Sequence, residues 1–120
     1  MFGGSSTSNL NGGDDLIMSP GNGSGLAGSE PLGVPVPAGT LGNLRATLSV
    51  APGGSDTVVF TVLVDGAATA ITCTIADPNT SCEDLVNTDV TVDLEKVTVE
   101  AVASATAAAA KVSFSLTHTP

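Results

Sequence analysis

From Val34 onward the apolar residues fall at every second position, in short runs broken by turn formers. That period puts side chains alternately on the two faces of a strand, and no run keeps the spacing of a helix face. Leu44, Ala46, Leu48 and Val50 share one face of a strand over Leu41–Val50. Val58, Phe60, Val62 and Val64 do so over Thr57–Val64, with Val59 and Leu63 on the other side. That second apolar face implies cover from both sides, or contact with another subunit. Ile71, Cys73 and Ile75 mark Ala68–Ala76. Val90, Val92 and Leu94 face one way over Asp89–Leu94, and Val97 and Val99 alternate in Lys96–Ala103. Val112, Phe114 and Leu116 point inward from Lys111–His118.

The breaks are chemically specific. Pro52-Gly53-Gly54-Ser55 and Asp77-Pro78-Asn79-Thr80 are turn or loop sequences. Asp65-Gly66 fits a two-residue hairpin of type I′, which needs positive φ at both positions. Ala107–Ala110 favours helix by propensity, but four alanines cannot nucleate one, so a loop is expected. Val34-Pro35-Val36-Pro37 is extended and can join a sheet only at its edge. The expected fold is all-β: an antiparallel, jelly-roll-like β-sandwich of about six to eight strands with an extended N-terminal arm.

The arm is residues 1–33, and the body is residues 34–120. The arm holds nine of the fourteen glycines and lacks a clear period. Alone it buries too little apolar surface to offset its ordering entropy. Leu10, Leu16, Ile17, Met18, Leu26 and Leu32 are apolar pegs on this string. They are suited to grooves on a neighbouring subunit, or are incidental to a flexible tail. The body lacks Trp and Tyr and is filled by Ala, Val and Thr, a thin core for its size. Burying one face in a dimer or trimer would help it.

Twelve acids stand against Arg45, Lys96 and Lys111, a net charge of −9. Nucleic acid and anionic membrane surfaces both call for a basic footprint, so neither is an expected partner. No apolar run is long enough for a membrane helix, and residues near Met1 do not form a signal peptide, so synthesis in a cytoplasm is expected.

Catalytic patterns are missing. His118 lies third from the end, a poor place to hold a base rigidly. Gly23-Ser24-Gly25 is outside any strand-to-helix context, and there is no phosphate-cradling loop. Asp77, Asn79, Glu83 and Asp84 supply oxygens, but turn chemistry explains Asp77 and Asn79 without calcium. Cys73 and Cys82 are nine positions apart across a turn, close enough to bond if a hairpin joins them, and otherwise two reduced thiols. Their spacing, with a single His in the chain, does not suit zinc. Neither an enzyme nor a cofactor is expected.

The stretch Pro37-Ala38-Gly39-Thr40-Leu41-Gly42-Asn43-Leu44-Arg45 is followed by Leu48-Ser49-Val50-Ala51-Pro52-Gly53 and Phe60-Thr61-Val62. Asp65-Gly66, Ile71-Thr72-Cys73-Thr74-Ile75 and Thr80-Ser81-Cys82 come next. Together they resemble a small β module of tailed-bacteriophage virion proteins and prophage-encoded structural proteins. The resemblance spans roughly Pro37 to Leu116. It implies an outer virion component, with a capsid decoration or cement protein the leading expectation. Such a protein is made in the host cytoplasm, self-associates as a trimer or dimer, and binds the major capsid protein on the outer surface of the head through its N-terminal arm and one sandwich face. A tail-fibre or receptor-binding module is the alternative, and a bacterial adhesin or carbohydrate-binding domain a further one. Members typically carry a Gly-Asp-like turn before the fifth strand, where this chain has Asp93-Leu94-Glu95-Lys96.

Overall fold

A computed structural model describes residues 2–6, 9–20, 24–26 and 33–120. Among them are eleven strands and no helix. They are β1 (Phe2–Ser5), β2 (Asp15–Met18), β3 (Ser24–Leu26), β4 (Val34–Val36), β5 (Gly39–Leu48) and β6 (Thr57–Val64). The rest are β7 (Ala67–Ala76), β8 (Ser81–Asp84), β9 (Asp89–Thr91), β10 (Glu95–Ala103) and β11 (Val112–Thr119). Two antiparallel sheets pack as a sandwich. The first runs β1-β11-β5-β8, with β9 on β5 beyond β8. The second runs β3-β2-β10-β6-β7, with β4 beside β2 along β10.

The alternation read from the sequence builds the core. Val58, Phe60 and Val62 from β6 meet Val97, Val99 and Ala101 from β10, Ile71 and Ile75 from β7, and Phe114 and Leu116 from β11, all buried. The turn at Asp65-Gly66 has positive φ at both residues, 50° and 81°, as a type I′ hairpin requires. Residues 104–109 are a loop, and Ala110 makes an isolated bridge to Leu10.

In β5 simple alternation fails. Between Ser115 and Thr117 the register against β11 shifts, so that Asn43 and Leu44 together oppose one residue. Asn43 takes φ 52°, the bulge conformation that Asn tolerates. The inserted residue turns Leu41 inward with Leu44, and both are fully buried. Val50 lies past the end of β5 and is half exposed.

The described parts of residues 1–33 are woven into the sandwich, where the sequence suggested an arm that orders only on a partner. β1 borders β11, β2 borders β10, and Leu10 bridges Ala110. Two glycines that suggested flexibility instead permit close approach. A Cβ on Gly3 would collide with Phe114 O, and one on Gly12 would lie 2.6 Å from Ala105 O. On the outward face of β6, Leu63 is buried together with Ile17 and Thr98 on the same sheet face, while Val59 is only partly buried.

Candidate interaction surface

Four of the six apolar pegs are taken up by the fold of this chain itself. Leu10, Leu16 and Met18 are buried in this chain's own core, and Ile17 is buried on the opposite sheet face. Leu26 lies on β3 with its backbone paired to Leu16, and Leu32 falls outside the described residues. Leu10, Leu16 and Met18 fill grooves that belong to the same polypeptide.

Cys73 and Cys82 are joined by a disulfide that ties β7 of the second sheet to β8 of the first. Immediately after it, Asp84 organises the turn out of β8. One carboxylate oxygen accepts hydrogen bonds from the Val86 and Asn87 N–H groups at 3.1 and 3.0 Å. The other accepts from Thr72 N–H on β7 at 3.1 Å and from Asn87 Nδ2 at 2.9 Å. These donors, the Asn87 N–H foremost, hold the Asp84 carboxyl down at about 2. With Asp84 turned inward, Leu85 and Val86 are left outside.

The next residues extend this exposed stretch. Thr91 on β9 is buried, and its hydroxyl donates to Pro37 O at 3.0 Å. His118 Nε2 donates to the same carbonyl at 2.9 Å, which makes His118 a tie between strands. Because Thr91 faces in, Val90 and Val92 face out. The turn into β10 is held by Leu94 N–H donating to Val36 O at 2.8 Å and Val92 N–H donating to Glu95 Oε1 at 2.9 Å. Here Leu94 has φ 69°, in the left-handed region that normally calls for Gly or Asn.

The result is an apolar ridge over residues 85–94. Val86 is 86% exposed, Val90 73%, Leu94 70% and Val92 61%, with Leu85 also exposed. Among the described residues the other large exposed apolar side chains are Val50 and Val102. Five of the seven large exposed apolar side chains among the described residues thus fall within this one ten-residue stretch. Sequence alternation put Val90, Val92 and Leu94 on one face of a strand over Asp89–Leu94, but the strand ends at Thr91 and Leu94 lies in the left-handed turn that follows. It did not reveal that Thr91 would take the inward position.

Other features have structural partners. A depression of about 300 Å³ is lined mainly by Ser5, Ser6, Thr47, Ser49, Lys111 and Ser113. Its hydroxyls are engaged: Ser49 Oγ accepts from Lys111 N–H, Ser6 Oγ from Val112 N–H, and Thr47 bonds Ser113. Asp77 Oδ1 accepts from Gly53 N–H. Among the described residues no cluster of three His, Cys, Asp or Glu side chains is arranged to hold a metal ion. No helix there is long and apolar enough to cross a membrane. The chain matches no protein-family model, no curated protein and no solved structure.

Proposed function

We propose that this chain is a non-catalytic assembly module, a capsid decoration or cement protein that attaches to the major capsid protein and reinforces the head. The observation that carries the proposal is the ridge at 85–94, tied by hydrogen bonds to a sandwich whose core does not include its apolar side chains. Large apolar side chains kept in water on a braced turn favour association with another surface. The expectation from the sequence that residues 37–116 form a virion β module points to the same function. The ridge takes over the attachment role first expected of residues 1–33, because Leu10, Leu16 and Met18 are occupied at home.

The test is immunogold labelling of particles purified from cells that produce the protein, with antibody against the chain. Label distributed over particle heads is the expected result. Label confined to tails would replace decoration with a receptor-binding or tail-fibre role, and label confined to cell surfaces would replace it with an adhesin. Absence of label on every particle would overturn the virion assignment.

A further inference from the structure

Resting on the assembly function proposed above, we infer that the 85–94 ridge docks into an apolar groove rimmed by Lys or Arg on a different protein, not onto a second copy of this chain. The argument begins with the acids along the ridge. Glu83, Asp89, Asp93 and Glu95 accompany the apolar side chains, and the segment from Glu83 to Glu95 contains no Lys or Arg. Asp93 is exposed, and Asp89 is partly so.

A two-fold dimer through the ridge would set the same patch on each subunit against its copy. Two acid-bearing patches would then face each other, and like charges brought together at an interface select against that pairing. The chain has little to neutralise them. Arg45 is already paired with Glu83 at 3.2 Å, Lys111 lies beside the depression at Ser49, and Lys96, partly buried on β10, is the one cation left for Asp89 and Asp93. A basic rim on a foreign groove satisfies the acids while its floor covers the valines and Leu94.

The backbone indicates how the ridge is used. β9 is three residues long, too short to template an added strand, so recognition runs through side chains. Leu94 adds a second observation. A left-handed conformation is unfavourable for Leu, and a side chain 70% exposed gains little packing in return. Gly or Asn would suit the turn better. Leu at that position fits a side chain whose packing partner lies outside this chain.

The test uses the full-length chain, ¹⁵N-labelled, titrated with two amphipathic helical peptides. Both carry a leucine face, one edged by lysines and the other by glutamates. The lysine-edged peptide is expected to shift the amides of residues 85–94 saturably, and the glutamate-edged peptide to leave them in place. The combined variant Val90→Thr, Val92→Thr, Leu94→Asn keeps β-branched residues and a turn-compatible residue, and is expected to weaken binding roughly ten-fold or more. Asp89→Lys with Asp93→Lys is expected to reverse the preference between peptides. Equal response to both peptides, shifts centred elsewhere, or a wild-type dimer that the triple variant dissolves would overturn the inference. Particle labelling and peptide titration fail separately. Unlabelled particles alongside ridge-specific peptide binding would remove the capsid assignment and leave the docking chemistry intact.

Discussion

Asp84 offers a sharp quantitative test, because one carboxylate of a residue only 6% exposed receives four hydrogen bonds. Asp84→Ala removes all four acceptor contacts and leaves Thr72 N–H, Val86 N–H and both Asn87 donors without a partner. Hydrogen bonds to a charged group contribute about 1.5–3 kcal/mol each, but Val86 is largely exposed, so its amide and that of Asn87 rehydrate once the carboxylate is gone. Thr72 N–H on β7 bears the larger loss. The expected destabilisation is about 3 kcal/mol at pH 7, a large share of a domain's total stability. The depressed pKa reflects the same hydrogen bonds: a drop from 3.8 to about 2 corresponds to at most roughly 2 kcal/mol of stabilisation tied to ionisation, less where solvent screens the carboxylate. That part is fully present above pH 4 and is lost as pH falls through 2. The assay is urea unfolding followed by far-UV circular dichroism, since the chain has no Trp or Tyr to report by fluorescence. The gap between wild type and Asp84→Asn should narrow steadily from pH 4 to pH 2. A change below about 0.5 kcal/mol at pH 7, or a gap constant down to pH 2, would refute the reasoning.

Three further outcomes follow from the fold. Glu100 on β10 lies diagonally across from Asp15 on β2, and hydrogen bonding to Asp15, burial and the like charge push its carboxyl up to about 7. Glu100 therefore stabilises the fold fully below pH 4.5 and loses that contribution as pH rises through 7, so Glu100→Gln should flatten thermal stability over that interval, and an unchanged slope would contradict the assignment. Met18→Ala, at a fully buried position on β2, should lower stability by about 2–5 kcal/mol in urea unfolding, whereas a neutral effect would mean that β2 is not part of the core. Replacing Cys73 and Cys82 together by Ser opens a loop of nine positions and should cost about 2–3 kcal/mol, measured against the oxidised wild type, and an equal midpoint would count against the bond.

Much of the sandwich could be read from the chain because local and global preferences agree there. β6 spans the residues that alternation and the flanking turns delimit, and Asp65-Gly66 supports one hairpin geometry. β7, β10 and β11 lie within a residue or so of their expected limits. Misreadings arose where tertiary contact overrides composition. Phe2-Gly3-Gly4-Ser5 has no alternation to announce a strand, yet Gly3 is needed so that β1 can approach Phe114. Ser81–Asp84 is polar and short, and the disulfide and the Asp84 carboxylate fix it in place of a hydrophobic pattern. Leu41 escaped the pattern because the bulge at Asn43 reverses side-chain direction. The ridge was visible as apolar residues, but its outward aim depends on Thr91 bonding Pro37 O, a contact separated by 54 positions in the chain.

A density map of a particle that carries this chain, resolved well enough to place both sheets, tests association through the ridge most directly. Val86, Val90, Val92 and Leu94 should lie against a neighbouring protein of different sequence, with Lys or Arg side chains beside Asp89 and Asp93. A bound chain whose residues 85–94 face open solvent, with attachment made through another surface, would contradict it.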